Sequence, residues 1–461
     1  MRALKILVRG RKDASAVRHA VERIMRDPYV IVESLGGVRN STLCRAAEDA
    51  AEPLSIVLLD RSAPPDCIIE KPLVETVHVR ASKIRNMTLQ SIVSAISLGR
   101  AGLRVRYSWR GSAPALGAYL GSPLEGEPIE PEGDSFILRG RGLDLLVSLT
   151  GAERAPSKGR AGLLIKAGGG LHYLYTERHP SLVVRFPRAG RKPEVIAQGS
   201  PVTGFSESEL VSNSVDVLHL LEDLSLGILQ GSGVRRAIVP LSGGKDSAVA
   251  LVLASLVFGP ENIVAVYVDT GIDFPENREY AEYIASRLGV ELRIEHADVD
   301  KGLLLERLPL PTARNRWCTG RKLEALRRVI SRLRTRGFEA LITGDRDAES
   351  SRRSMRPPLR IDNSAGLLVA APLKYWSGAH VEAYLLMKGF RLNHLYNLGF
   401  VRTGCYLCFA LRPSWEIRIL ENYGYFRELQ KIKPEQAPLI ERFLAAVGGH
   451  DGRGGEVQTN N

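Results

Sequence analysis

The chain has 461 residues, of which 44% are hydrophobic and 25% charged, a composition typical of soluble globular proteins. That length exceeds what one hydrophobic core supports, so two or three domains are expected. The sequence has no apolar run long enough to span a bilayer, and charges interrupt the apolar N-terminal segment. These features predict a cytoplasmic protein that begins with a strand and not with a signal peptide.

The net charge of +12 favours a polyanionic partner, and the excess is unevenly distributed. Residues 71–120 contain eight lysines and arginines against one acidic residue, and residues 311–360 contain fourteen against five. Arginine accounts for 49 of the 63 basic residues, and its planar guanidinium suits phosphate. The charge therefore indicates either an RNA-binding surface or a solvated basic face, and composition alone leaves both open.

In chain order, residues 1–110 alternate predicted strands and helices and form a small α/β unit of unknown function. Strands are predicted at 4–8, 29–33, 54–59 and 103–107, and helices at 14–25 and 88–97. Residues 111–133 are rich in Gly, Pro and Ser and indicate a linker. Residues 134–200 carry short apolar runs between basic loops, which predicts a β-rich segment, either an RNA-docking module or a structural insertion.

A helix over 206–229 leads into repeated strand–helix units that extend to about residue 425. Strands are predicted at 237–241, 263–268, 290–294, 340–343 and 367–371, with helices from 248 and over 276–288, 321–333 and 379–387. This alternation predicts a Rossmann-like, doubly wound parallel sheet, whose ligands bind beyond the carboxyl ends of the strands. Residues 426–461 are predicted as a C-terminal helix and a disordered tail.

A strand ending at residue 241 leads through a glycine-rich turn into a helix, an arrangement that favours anion binding. The turn consists of Ser242, Gly243, Gly244, Lys245, Asp246 and Ser247. It resembles the PP-loop, the pyrophosphate-binding loop of the adenine-nucleotide alpha-hydrolase superfamily. That resemblance implies ATP with Mg²⁺ as ligand and cleavage between the α and β phosphates, with Lys245, Asp246 and Ser247 serving the phosphates.

Two further motifs follow predicted strands. Asp269, Thr270 and Gly271, followed by Phe-Pro-Glu, are similar to the nucleoside-binding turn of the PAPS (3′-phosphoadenosine 5′-phosphosulfate) reductase family. The segment from Gly344 to Arg353 matches that family's Gly-x-Arg-x-x-Glu-Ser-x-x-Arg pattern. The resemblance implies that Asp269 serves the nucleoside, and that Arg346 and Arg353 serve the activated group as paired hydrogen-bond donors.

The resemblance extends over roughly residues 232–425. Residues 392–400 resemble an Asn-Pro-Leu-Tyr-x-x-Gly-Phe segment, with His394 in place of the proline, and residues 316–322 resemble an Arg-x-Cys-Thr element. Together with the loop and the two turns, these make five ordered motifs. The resemblance does not reach residues 1–200.

Five cysteines are too few for a disulfide framework. Cys44 and Cys67 are interpreted as buried thiols. Cys318, in a predicted loop, and the pair Cys405 and Cys408 make up three thiolates, a ligand type that suits a 4Fe–4S cluster or zinc. The cluster with one open iron is favoured; zinc with His394 or His380 as fourth ligand, and plain thiols, stay as alternatives.

Two departures from sulfonucleotide reductases favour another reaction. The sequence has no cysteine after Cys408, where a reductase carries its nucleophile, and its PP-loop is complete. The expectation is an ATP-dependent sulfurtransferase that adenylates an acceptor such as tRNA and takes sulfur from a donor through the cluster. The alternatives are a PAPS or adenylyl sulfate reductase that uses Cys44, Cys67 or a thiol partner to make sulfite, and a nucleotide-regulated RNA-binding protein. The oligomeric state is not predicted.

Overall fold

A computed structural model describes residues 4–117, 129–155, 159–186, 193–362, 366–411 and 415–448. The tail predicted to be disordered lies outside these residues from 449 onward, and so do residues 118–128 of the predicted linker. No helix in the described ranges is long and apolar enough to cross a membrane.

The N-terminal part contains a four-stranded parallel sheet and a hairpin. The sheet order is β2-β1-β3-β4, and β5 and β6 pair antiparallel. The elements are β1 (Leu4–Val8), α1 (Arg11–Ala20), β2 (Val30–Ser34), α2 (Asn40–Ala50), β3 (Ser55–Leu59), β4 (Val74–His78), α3 (Leu89–Val105), β5 (Tyr107–Arg110) and β6 (Ala113–Leu116).

Two expectations for this part are wrong. The predicted strand at 103–107 is mostly the end of α3, because Leu103 and Val105 continue the buried face of that helix, which Thr88 caps by accepting from Ser91 N. The predicted linker begins as a hairpin strand, β6, whose Leu116 N donates to Ser214 Oγ. Both segments are held by contacts with distant elements, which a local pattern does not reveal.

The middle part is an antiparallel five-stranded sheet in the order β11-β10-β9-β8-β7. It is β-rich as predicted, but it also contains one unpredicted helix, which packs on the sheet through Leu143 and Leu146. The elements are β7 (Asp134–Arg139), α4 (Gly140–Thr150), β8 (Ala161–Lys166), β9 (Leu171–Tyr175), β10 (Pro180–Arg185) and β11 (Glu194–Gln198).

The C-terminal part confirms the doubly wound α/β prediction. Its six-stranded sheet has the order β14-β13-β12-β15-β17-β16, parallel except for the unpredicted edge strand β16. Its elements up to this sheet's last strand are α5 (Glu207–Gln230), β12 (Ala237–Pro240), α6 (Lys245–Phe258), β13 (Ile263–Asp269), α7 (Pro275–Leu288), β14 (Glu291–His296), α8 (Val299–Leu304), α9 (Trp317–Arg334), β15 (Ala340–Ile342), α10 (Ser351–Ser354), β16 (Leu359–Asp362) and β17 (Leu367–Ala370).

In the described residues, helices follow the last strand. They are α11 (Gly378–Met387), α12 (His394–Asn397), α13 (Trp415–Asn422), α14 (Tyr425–Ile432) and α15 (Ala437–Gly448). Helices α5, α6 and α11 pack together through buried apolar residues such as Leu221, Leu251 and Leu385. This cluster fixes the helix that follows the glycine-rich turn.

The basic stretch at 71–120 is only partly surface. Arg100, Arg104 and Arg106 are buried, and Arg106 forms an ion pair with Glu75. Three of the eight basic residues that suggested a polyanion-binding surface here are therefore internal and paired or hydrogen-bonded within the protein.

Candidate nucleotide site

The glycine-rich turn joins β12 to α6 and depends on glycine at its second position. Gly243 has φ +76°, and a Cβ built there would lie 2.1 Å from the carbonyl oxygen of Asn277. Ser247 Oγ closes the turn by donating to Gly244 O (3.0 Å) and accepting from Ser242 N (3.1 Å). The turn thus presents backbone at the N-terminus of a 14-residue helix, where partial positive charge accumulates.

The segment around α12 packs directly against this turn. Asn393 Nδ2 donates to Gly243 O (2.9 Å), and Tyr396 Oη accepts from Lys245 N (3.0 Å). A Cβ on Gly244 would lie 3.0 Å from Thr403 Oγ1. The Asn-His-Leu-Tyr motif of the sequence therefore packs against the glycine-rich turn and forms hydrogen bonds with its backbone.

Lys245 is completely buried. Its Nζ donates to Val401 O (2.6 Å) and lies 3.7 Å from Asp246 Oδ2 and 3.9 Å from Glu382 Oε1. Burial opposes the charged form, but Asp246 and the other anionic neighbours outweigh it and raise the pKa of Lys245. The ammonium is thus charged beneath the loop and already satisfied by protein groups.

Arg346 is buried between two carboxylates. Its Nη1 lies 2.7 Å from Asp134 Oδ2, and its Nε donates to Asp246 Oδ1. Burial opposes the charged guanidinium, yet Asp134 and Asp246 outweigh it and raise the pKa of Arg346; Arg346 in turn helps to lower the pKa of Asp246 against the opposing effect of burial. Gly344 permits this approach, because a Cβ there would lie 2.6 Å from the backbone of Asp246.

Arg353, like Arg346, follows strand β15, and its side chain is about one third exposed. Its guanidinium pairs with Glu349 and lies 3.6 Å from Asp345 Oδ1, while Arg360 reaches the other oxygen of Asp345 at 2.8 Å. The two motif arginines are thus placed differently. Arg346 is internal, whereas Arg353 is accessible to a ligand.

The second motif forms a tight turn after β13. Asp269 Oδ1 accepts from Gly271 N (2.8 Å), and Thr270 N donates to Asp273 Oδ2 (2.9 Å). Gly271 has φ +76°, and a Cβ there would collide with the carboxylate of Asp300. Asp269 keeps its second oxygen 3.6 Å from Arg278 Nη1 and 3.9 Å from His296 Nδ1.

Cys318, Cys405 and Cys408, in the C-terminal part, are free, half-buried thiols. Cys318 lies in the first turn of α9 rather than in the predicted loop, because the helix begins four residues earlier than its apolar pattern indicates. Cys405 Sγ donates to Asp273 Oδ1 (3.1 Å). Burial, followed by Asp273, raises the pKa of Cys405 well above that of an ordinary thiol, and burial also raises the pKa of Cys318.

Lys322 interacts electrostatically with this group; it ends the motif at residues 316–322 but was not predicted as a site residue. Burial opposes its charge, but Asp273, Cys405 and Cys318 outweigh that effect and raise its pKa. A cation among thiols and a carboxylate offsets part of the cost of forming a thiolate there.

The thiols suit a soft metal by type, but the described residues do not bring them together as a ligand set. No group of three or more His, Cys, Asp or Glu side chains in these ranges is placed to hold a metal ion. His380 Nδ1 accepts from Ser377 N at the start of α11, and His394 is exposed on α12. The arrangement therefore does not fit a bound cluster or zinc, and no chemical step is derived through one.

Cys44 and Cys67 correct another expectation. They form a disulfide between α2 and the segment before β4, with Cα atoms 5.4 Å apart, and are not separate buried thiols. The pairing joins residues 23 positions apart, a relation that the uneven spacing of cysteines did not indicate.

Three groups that surround the loop were missed by sequence reasoning. Asp134 and Arg139 come from β7, and Glu382 lies on α11. Asp134 is 212 residues from Arg346, and Arg139 is 243 residues from Glu382. Charged residues at strand ends are common, and nothing in their local sequence distinguishes these from solvated ones.

A parallel α/β sheet, with this glycine-rich turn opening the helix after its first strand, defines a PP-loop nucleotide-binding domain. Residues 236–411 match the family model "Phosphoadenosine phosphosulfate reductase domain". This part of the chain is therefore a PAPS-reductase-like PP-loop domain, as its motifs predicted.

Individual relatives match the same half. An uncharacterized protein of Methanocaldococcus jannaschii is 30% identical over 208 residues, which are 45% of this chain and 40% of the relative. The adenosine 5′-phosphosulfate reductase of Rhodococcus opacus is 25% identical over 195 residues, 41% of this chain and 74% of that protein. The match thus spans about two fifths of the archaeal relative's length.

Among solved structures, a PAPS reductase from Candida auris in complex with phosphate aligns with a TM-score of 0.34 and 20% identity. The alignment covers 41% of this chain and 95% of that one.

Proposed function

We propose that this protein is a PP-loop enzyme that binds ATP with Mg²⁺, releases pyrophosphate and adenylates an acceptor for sulfur transfer. The observation that carries the proposal is the complete Ser-Gly-Gly-Lys-Asp-Ser turn at the N-terminus of α6. Its glycines allow Asn277 and Thr403 to pack closely on the turn, and two buried cations, Lys245 and Arg346, lie at the same helix end.

The proposed chemistry has two displacements. A carbonyl oxygen of the acceptor attacks the α-phosphorus of ATP, the bond to the bridging oxygen of pyrophosphate breaks, and pyrophosphate leaves with the bonding electrons. Hydrosulfide then attacks the activated carbon, AMP leaves with the bonding electrons of the C–O bond, and the remaining S–H proton is released as the thiocarbonyl forms. Mg²⁺ that arrives with ATP neutralises phosphate charge.

The chain's own groups stabilise the departing pyrophosphate. The amide dipoles at the start of α6 and the field of Arg346 favour negative charge there. Lys245 Nζ bonds Val401 O in the present arrangement. We propose that it exchanges this carbonyl for a phosphate oxygen when the nucleotide binds. Arg353, at the accessible rim, would contact the adenylated group, and Asp269 the nucleoside.

The test is a nucleotide-product assay on anaerobically purified protein offered ATP-Mg²⁺, bulk tRNA and sulfide. AMP and pyrophosphate are expected from the wild type, with a loss of roughly 10²-fold or more in Lys245→Ala. Lys431→Ala, which alters an exposed ammonium on α14, is the matched control and should act like the wild type. ATP left intact in the presence of every acceptor would refute the proposal.

A sulfonucleotide reductase is the second candidate, and the named reductases among the relatives favour it. It predicts sulfite from PAPS or adenylyl sulfate with a thiol reductant and no ATP. Its thiol would come from Cys318, Cys405, Cys408 or a partner, because Cys44 and Cys67 are joined to each other. Sulfite production with ATP untouched would select this function.

For the acceptor we propose RNA, docked on the exposed face of α9. Arg314, Arg316 and Arg327 are exposed on or just before this helix, whose first turn carries Cys318. The Arg316 guanidinium lies 5.0 Å from the ring centroid of Phe409, next to Cys408. A basic face beside the thiols would bring a polyanion to the sulfur chemistry.

Charge reversal tests that surface. Arg314→Glu combined with Arg316→Glu should weaken tRNA binding roughly tenfold and reduce the salt dependence of the affinity by about two phosphate contacts. Arg11→Glu, on the exposed side of α1, is the matched control. Equal affinities for both variants and the wild type would remove RNA from the proposal.

The sulfur carrier is proposed at the thiols of Cys318, Cys405 and Cys408; the 4Fe–4S cluster favoured from the sequence, or zinc as its alternative, would require these side chains to move together from their described positions. The support is the thiol chemistry of the three residues and the surroundings of Cys318, whose pKa is raised by burial and, less strongly, by Cys408. Iron, zinc and sulfide analysis after anaerobic purification decides it. Metal-free active protein is expected, because the described thiols are not arranged as a ligand set, whereas stoichiometric iron and sulfide that disappear in Cys408→Ser would establish a cluster.

A further inference from the structure

Strand β7 lies outside the family match and yet lies alongside the phosphate loop. Asp134 begins this strand and is 2% exposed. Its Oδ2 lies 2.7 Å from Arg346 Nη1, and its Oδ1 accepts from Gly378 N (2.9 Å) at the start of α11. The carboxylate therefore ties a motif arginine to the helix that packs on α6.

The same strand reaches the loop lysine by two other side chains. The Phe136 ring centroid lies 5.8 Å from Lys245 Nζ. Arg139, at the end of the strand, pairs through Nη1 with Glu382, whose other oxygen is 3.9 Å from that ammonium. Both Arg139 and Glu382 are buried.

These contacts form two buried chains of alternating charge. One runs from Asp134 through Arg346 to Asp246, and the other from Arg139 through Glu382 to Lys245. A buried charge that loses its partner costs several kcal/mol, so each member holds its neighbour in one orientation. The members supplied by β7 lie at the ends farthest from the loop.

We infer that Asp134 and Arg139 are positioning residues for Arg346 and Lys245, and that the antiparallel module is an obligatory part of the nucleotide site. The inference rests on the proposed nucleotide function. It also gives residues 134–139 a role that the family resemblance did not cover, because the cations that serve the phosphates are held from outside the matched domain.

The test measures phosphate-specific affinity on the full-length protein. Asp134→Asn and Arg139→Gln should weaken ATP-Mg²⁺ binding on the order of tenfold or more, because the cations lose their fixed positions. Adenosine lacks the phosphates, so its affinity should stay unchanged. Arg154→Gln, which breaks the exposed Arg154–Asp144 pair in the same module, should bind both ligands like the wild type.

Each outcome separates the inference from the function on which it rests. Wild-type protein that binds no ATP refutes the proposed function. If the wild type binds ATP, two results overturn the positioning role. One is folded variants that bind ATP as tightly as the wild type, and the other is folded variants whose affinities for ATP and adenosine fall in parallel. If Asp134→Asn or Arg139→Gln does not fold, Asp134→Glu and Arg139→Lys retain the charge and shift its position. An unchanged ratio of ATP to adenosine affinity in those variants also overturns it.

Discussion

Replacing Gly243 with alanine tests whether the glycine-rich turn at residues 242–247 is the phosphate site. A Cβ at this position would lie 2.1 Å from the Asn277 carbonyl oxygen, whereas real Cβ atoms essentially never approach closer than 3.0 Å. The loop must therefore move by roughly 0.9 Å, and a displacement of about 1 Å in a positioned group costs on the order of 10²-fold in rate. Positive φ adds about 1 kcal/mol of strain, and overpacking adds roughly 2 kcal/mol.

Gly289→Ala is the matched control. This glycine ends α7 with φ +67°, and a Cβ there would have no neighbouring atom within 4 Å, so alanine meets the backbone strain alone, about 1 kcal/mol. Thermal melts and ATP-dependent pyrophosphate release should show a small stability loss with normal activity for Gly289→Ala. Gly243→Ala should lose roughly 3 kcal/mol and about 10²-fold in rate. Gly243→Ala protein with wild-type pyrophosphate release would refute the loop as the phosphate site.

Three further outcomes follow from buried groups. Burial lowers the pKa of His380 to about 4. As the pH drops from 6.5 to 4, the histidine of the unfolded chain binds a proton before that of the folded protein does, so the free energy of unfolding should fall by up to roughly 3 kcal/mol. His380→Asn, which keeps an acceptor for Ser377 N, should lose that acid sensitivity in melts at both pH values. In metal-free protein, alkylation of Cys405 should stay slow to above pH 9. It should be faster in Asp273→Asn, which removes an anion beside the thiol; equal rates in the variant and the wild type would contradict the contribution of Asp273 to the raised pKa of Cys405. Arg100→Ala removes one of the cations that pair with the buried carboxylate of Asp347 and should cost roughly 3 kcal/mol in chemical denaturation; a loss below about 1 kcal/mol would show that Lys374 and Arg104 together satisfy that carboxylate.

The sequence could predict what local pattern encodes. The turn from Ser242 to Ser247, the strands β12 and β13 and the turn at Asp269 are each contained in fewer than ten residues, and the sheet follows from their alternation. The Asn393 segment was recognised by its motif, and the structure gives the physical reason, since its side chains bond the loop backbone.

Features fixed by distant partners could not be predicted in this way. The strand expected at 103–107 became the end of α3, because Arg104 is buried and donates to Gly133 O, a pairing between separate elements. The disulfide between Cys44 and Cys67 depends on where α2 places one sulfur relative to the segment before β4. Ion pairs between residues more than 200 positions apart have no local sequence pattern, so the pairs Asp134–Arg346 and Arg139–Glu382 beside the turn could not be predicted.

The positive charge of the chain divides into two populations with different consequences. Arg100, Arg104 and Arg346 are internal and face carboxylates or carbonyl oxygens, so they contribute to the net charge without offering a surface to a polyanion. Arg314 and Arg316 are exposed beside the thiols. Since only exposed cations release counterions on binding RNA, the RNA part of the proposal depends on this second population and not on the value of +12.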